Sequence, residues 1–133
     1  MGTRTPRLRR IDALDRSIFE ELIAEIWSGF GYTVELTQQT RDGGKDIVAI
    51  KRCEANLKFL IECKRPDPGN PVGVAAVQRL LGVEHNARAS MAILATTTRF
   101  TRDAKRIFEE HEWELEPRDF EGLMRWIDQY LKN

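Results

Sequence analysis

Residues 42–64 read DGGKDIVAIKRCEANLKFLIECK and contain two extended segments, 47–53 and 57–64, separated by the short turn Glu54-Ala55-Asn56. Both segments are rich in isoleucine, leucine, valine and phenylalanine, and Gly43-Gly44 just upstream permit a tight reversal. Alternate residues of a strand share a face, so Glu62 and Lys64 project together while Cys63 points the other way. A hairpin that folds Asp46 back beside Glu62 brings two carboxylates together next to a lysine. Such a pair repels itself unless a hard cation lies between the oxygens. The spacing therefore predicts a divalent metal site.

Outward from this hairpin, 32–38 (YTVELTQ) alternates in the manner of a first strand, making 32–64 an antiparallel meander. Before it, Phe19, Leu22, Ile23, Ile26, Trp27 and Phe30 form the apolar stripe of a helix that begins near Asp15 and ends at Gly31, a candidate C′ glycine. Glu20 falls at the edge of that stripe, within reach of a neighbouring site, and Glu21 falls opposite it. Ser17-x-x-Glu20 also matches a capping box, which would leave Glu20 a purely local role. Residues 1–11, MGTRTPRLRRI, carry Arg4, Arg7, Arg9 and Arg10 without apolar periodicity and read as a basic arm or linker, either solvated or gripping phosphate. The single domain expected is 12–133.

Downstream, RPDPGNP (65–71) stops the strand beside the Glu-x-Lys and places a surface loop at the mouth of the sheet. A second helix is expected over 72–86 with Val74, Val77 and Leu81 inward and Gln78 beside them, either a satisfied polar residue or a supporting site residue. The run 90–96 (SMAILAT) suits a central strand joined by a crossover, parallel to a neighbour. Thr101 would cap a third helix, 113–115 would form a short edge strand, and Pro117 would open a last helix. The order α-β-β-β-α-β-α-β-α implies one α/β domain, a mixed sheet flanked by helices.

Composition sets outer bounds. With 133 residues and 41% hydrophobic content, the chain fits one core of ordinary size. Its 21 basic and 21 acidic residues balance, so any nucleic-acid surface must be local, built from Lys45, Lys51, Arg52, Arg65, the arm and the cluster Arg99, Arg102, Lys105 and Arg106. Cys53 and Cys63 lack Cys-x-x-Cys spacing and are expected to be buried, reduced thiols, which points to the cytoplasm. No apolar run approaches a membrane span. His85 and His111 are isolated in sequence and expected on helix surfaces. Neither belongs to a His-Glu-x-x-His or zinc pattern, and Gly-x-Ser-x-Gly and P-loop motifs are absent from the sequence. Thr96-Thr97-Thr98 at a strand end suit either a structural role or phosphate contact.

The chemistry favoured by Asp46, Glu62 and Lys64 is metal-dependent phosphodiester hydrolysis. Two carboxylates can hold Mg²⁺ and leave it open to a phosphate oxygen, with the lysine orienting water or offsetting transition-state charge. Glu-x-Lys is also common as a surface ion pair. Here it stands at the end of an apolar run beside a proline-rich loop, opposite an aspartate that follows a Gly-Gly turn.

Taken together, FEELIAEIWSGFGYTVELT (19–37), DGGKD (42–46), IECKR (61–65), VAAVQRLLG (74–82) and LATTTRFTRDA (94–104) resemble the catalytic domain of Mrr-like restriction endonucleases, a branch of the PD-(D/E)xK nuclease superfamily. The resemblance spans roughly 14–131. It implies a restriction-endonuclease-like αβββαβ core, Mg²⁺-dependent DNA cleavage with Mn²⁺ as a substitute, and often a homodimer. It assigns Asp46 and Glu62 as metal-binding carboxylates and Lys64 as the catalytic lysine, favours Glu20 over Glu21 as the helix glutamate, and allows Gln78 a supporting place. Many such proteins carry Gln where Glu62 stands, and complete ones usually add an N-terminal winged-helix domain, so the chain is expected to be an excised domain with its specificity domain missing, a minimal stand-alone nuclease, or a subunit that borrows specificity from a partner. The alternatives are a Holliday-junction or other structure-specific nuclease of the same superfamily, or a DNA-binding module without catalysis.

Overall fold

The computed structural model describes residues 16–37 and 46–132, Arg16 and Asp46 by their backbone alone. The basic arm, Asp42, Lys45 and the Gly43-Gly44 turn lie outside the described residues. In chain order the elements are α1 (Arg16–Gly29), β1 (Thr33–Leu36), β2 (Asp46–Arg52), β3 (Asn56–Lys64), α2 (Val74–Ala87), β4 (Met91–Thr96), α3 (Arg102–Glu110), β5 (Leu115–Arg118) and α4 (Phe120–Lys132). The strands form one sheet in the order β1-β2-β3-β4-β5. β1, β2 and β3 pair antiparallel, then β4 joins β3 and β5 joins β4 in parallel, with α2 and α3 as crossovers. The expected mixed sheet flanked by helices, of restriction-endonuclease type, is the architecture observed.

Strand periodicity divides the core into two layers. Ile47, Ala49, Ile61, Cys63, Ile93 and Ala95 face α1 and α4, packing on Phe19, Ile23, Ile26, Trp27, Leu123 and Trp126. Leu60, Ala92 and Leu94 face α2 and α3, packing on Val77, Leu80, Ala104 and Phe108. Each fully buried aliphatic or aromatic side chain contributes about 1.5–3 kcal/mol. β4 is buried along nearly its whole length, as an all-apolar central strand must be.

Helix ends follow local chemistry. After α1, Gly31 adopts φ +99°, the Gly31 N–H donates to the Ser28 carbonyl, and the Tyr32 N–H reaches the Trp27 carbonyl at 3.2 Å. This is the Schellman closure, with Tyr32 packed on Trp27 at 4.9 Å between ring centroids, and it bears out Gly31 as the C′ residue. Thr101 caps α3 by accepting from the Ala104 N–H at 3.1 Å.

Several expectations are corrected. Ser17 lies within α1, so it is not the N-cap of a capping box. Val72 is not helical but bridges Phe100, and α2 buries Leu80 where Leu81 was expected to lead. Pro117 is a residue of β5, not the start of α4. An edge strand tolerates a missing N–H, and the cap of α4 is Asp119, whose Oδ1 accepts from the Gly122 N–H at 2.9 Å. Trp113, expected in that strand, is exposed in the preceding turn. Cys53 is exposed while Cys63 is buried.

Candidate active site

The carboxyl ends of the parallel strands converge at one end of the sheet, and the hairpin register sets the candidate residues there. Asp46 is the register partner of Glu62, directly across β2 and β3. Opposed positions in an antiparallel ladder lie about 4.5–5.5 Å apart on one face. On that same face the Lys64 Nζ lies 3.1 Å from Glu62 Oε2, with side-chain exposures of 22% and 12%. The pair is thus mostly shielded yet reachable. Its place follows from sequence: Leu60 and Ile61 anchor the strand centrally, and the charged residues come only where the sheet ends.

β4 flanks this pair. Lys64 registers with Thr96 and Glu62 with Leu94. Thr96 is fully buried and accepts from the Thr98 N–H at 3.2 Å. The Thr97 N–H donates to the Lys64 carbonyl at 3.3 Å, fixing the backbone beneath the lysine. Among the described residues the buried Thr97 Oγ1 and Arg65 Nε have no hydrogen-bond partner, and both adjoin the ends of these strands. Val72 ties the loop after β3 to the loop after β4, its N–H donating to the Arg99 carbonyl at 2.8 Å and its carbonyl accepting from Thr101 at 3.0 Å.

Glu20 reaches the same end from the other layer. Trp27 packs on Phe59 at 5.3 Å. Seven helical residues back toward the N-terminus of α1 span about 10 Å, and three strand residues from Phe59 to Glu62 span about the same. Glu20 therefore lies toward the end of the sheet that holds Glu62, but its helix covers the face opposite to Glu62 and Lys64. It is only 2% exposed, deeper than a stripe-edge position suggests, whereas Glu21 is exposed as expected. Gln78 belongs to α2, on the layer of Glu62, but is itself exposed.

The basic residues divide by position. Arg99, Arg102, Lys105 and Arg106 are exposed on the segment leaving the carboxyl end of β4. Lys51 and Arg52 stand at the other end of β2, with the Lys51 ammonium 5.4 Å from the Tyr32 ring centroid, so they do not join the candidate site.

The histidines are not isolated. His85 Nε2 lies 2.9 Å from Glu114 Oε2, and His111 Nδ1 lies 3.0 Å from Glu114 Oε1. His85 is on the exposed surface of α2 as expected, but His111 is the half-buried C-cap of α3 rather than a helix-surface residue. Hydrogen bonds from His111 and then His85 hold the Glu114 carboxyl below the usual glutamate range, against a smaller opposing effect of burial. His111 and Glu114 are three residues apart in one turn, but His85 lies on α2, 29 residues from Glu114, and nothing in the sequence brings it to them.

Among solved structures, the chain is similar to the DNA modification-dependent restriction endonuclease AspBHI, with TM-score 0.66 and 20% identity over 92% of this chain and 35% of that one. MspJI restriction endonuclease, solved in complex with a 27-mer oligonucleotide, matches with TM-score 0.60 and 13% identity over 96% of this chain and 32% of that one. At such identities the likeness is one of fold. A curated relative, the uncharacterized protein y4cE of Sinorhizobium fredii (strain NBRC 101917 / NGR234), is 27% identical over 92% of the chain, which spans 32% of its length. The Mrr_cat family of restriction endonucleases matches residues 11–127, and the chain belongs to that family.

Proposed function

We propose that the chain is the catalytic domain, residues 12–133, of a Mg²⁺-dependent DNA endonuclease of restriction type, acting in the cytoplasm. One observation carries this: the hairpin register opposes Asp46 to Glu62 while Lys64 Nζ stands 3.1 Å from Glu62 Oε2. The donor set suits the ion, because two carboxylate positions at a solvent-reachable strand end match the oxygen preference of Mg²⁺ and leave room for its waters and a phosphate. Asp46 and Glu62 would hold it, with Mn²⁺ as a substitute. When bound, the ion polarises the phosphodiester and makes water at the site easier to deprotonate.

The chain's own groups supply the rest. Glu62 keeps Lys64 in place through the ion pair, and Thr97 holds the lysine's backbone. The ammonium orients the attacking water and offsets charge that grows on the phosphate oxygens, an effect strengthened by its partial shielding from solvent. Glu20, buried toward the same end, supports the carboxylate pair from the layer beneath. Gln78 lies at the rim, where its exposed amide is available to substrate rather than to the ion. Arg65, Arg99 and Arg102 grip DNA phosphates. The curated relative is longer than this chain, which supports sequence recognition by a further domain or partner subunit; pairing of two copies would cut both strands.

The test is cleavage of plasmid DNA with Mg²⁺ or Mn²⁺ by wild type, Asp46→Ala and Lys64→Ala. Each substitution is expected to reduce the rate by on the order of 10²–10³-fold. Cleavage persisting in both variants sinks the mechanism.

A further inference from the structure

The sheet has a second cluster of ligand-type side chains, at the end away from Glu62. Glu84 and His85 stand in the last turn of α2, and Glu114 immediately precedes β5, its carbonyl accepting from the Ala92 N–H at the start of β4. We propose that Glu84, His85 and Glu114 form a separate site for a transition-metal ion of the zinc type, clipping the end of α2 to the junction between α3 and β5.

Geometry supports it first. One ligand atom from each residue can be chosen so that all lie within 4.8 Å of one another. His85 Nε2 is 2.9 Å from Glu114 Oε2 and 3.8 Å from Glu84 Oε1. Atoms bound tetrahedrally to one ion at about 2.0–2.1 Å are separated by roughly 3.3 Å, so these distances straddle the value a zinc site needs. Only small side-chain rotations are required.

Glu84 provides an independent reason. Its side chain is 10% exposed and its nearest cationic group is His85 Nε2 at 3.8 Å, beyond hydrogen-bond reach. A carboxylate this shielded is costly unless a cation pairs with it. The position is otherwise unexplained, since Val77 and Leu80, which precede it on the buried face of α2, are apolar.

The surroundings also fit. His111 occupies the second oxygen of Glu114 at 3.0 Å, the outer contact that fixes a ligating carboxylate in orientation. An imidazole in the set selects zinc over magnesium. The cluster is thus chemically distinct from the all-oxygen pair at the other end of the sheet, and its three protein ligands leave a coordination position for solvent.

The experiment is calorimetric titration of the whole chain with Zn²⁺ in saturating Mg²⁺, with circular dichroism to verify folding. Wild type is expected to bind one Zn²⁺, and Asp46→Ala to bind it equally well. Affinity should fall at least about tenfold in His85→Ala and Glu114→Gln, and on the order of tenfold in His111→Ala. The His85 side chain is 63% exposed, so its removal tests binding without disturbing the core. No Zn²⁺ binding by wild type, unchanged affinity in His85→Ala, or loss of binding in Asp46→Ala would each overturn the site.

Discussion

Two strands of this sheet carry an acid and a base two residues apart on one face, and they are made alike. On β3 the Lys64 Nζ is 3.1 Å from Glu62 Oε2, and on β5 the Arg118 Nε is 2.9 Å from Glu116 Oε2. The strands next to them differ. β3 is central, so Glu62 has Asp46 opposite on one side and Leu94 on the other. β5 ends the sheet, and Glu116 registers only with Ile93. The Arg118 guanidinium also lies 4.7 Å from the Trp126 ring centroid, committed to packing. A Glu-x-cation pair thus becomes a candidate site only through what the neighbouring strand sets against it. The spacing itself is compatible with either role.

The largest effect expected from this contrast is on cleavage. Glu62→Ala should lower the Mg²⁺-dependent rate by on the order of 10²–10³-fold, comparable to removing a transition-state contact, whereas Glu116→Ala should leave it within about twofold. Glu62→Gln should fall between wild type and Glu62→Ala, because an amide keeps an oxygen for the ion but loses the charge. Equal rates for Glu62→Ala and Glu116→Ala, measured on plasmid DNA, would erase the distinction between the pairs.

A smaller effect separates the two ends of the sheet. The four described helices direct their N-termini toward the end that holds Glu62 and Lys64, which favours anionic ligands there. Arg99 and Arg102 are exposed at that end, while Lys51 and Arg52 lie five and six strand residues from Asp46, roughly 17–20 Å away. Replacing Arg99 and Arg102 by alanine should reduce the salt dependence of DNA binding by about two phosphate contacts. The same change at Lys51 and Arg52 should leave the salt slope unaltered. Fluorescence anisotropy on a duplex across a salt series measures both.

What was legible in the sequence follows how local each determinant is. The Asp46 to Glu62 register could be anticipated because a three-residue turn and two alternating runs leave little freedom in the pairing. Gly31 and Thr101 act on backbone groups within a few residues, so their capping roles could be read directly. Pro117 was ambiguous, since the same fixed φ suits the first turn of a helix and an edge strand, and only the Asp119 cap two residues later decides between them. The layer that Glu20 occupies, the exposure of Cys53 and the meeting of His85 with Glu114 depend on which elements pack together. His85 and Glu114 are 29 residues apart, and helical phase says nothing about a partner at that distance.

The smallest expected effect is on stability, and it asks whether the β5 pair is structural in fact. Arg118→Ala removes a guanidinium from the face of Trp126 together with a half-exposed ion pair. These are worth about 0.5–1 kcal/mol for the ring contact and less for the ion pair, so a loss of about 1 kcal/mol is expected in urea unfolding. Because the neighbouring strand sets Ile93 and not a carboxylate opposite Glu116, Mg²⁺ should leave that deficit unchanged. Lys64→Ala behaves differently: it leaves Asp46 and Glu62 opposed without their cation, so whatever stability it loses should be recovered when Mg²⁺ is added. A deficit in Arg118→Ala that Mg²⁺ also repairs would show that both pairs sit in the same electrostatic setting, and that the neighbouring strand does not make the difference.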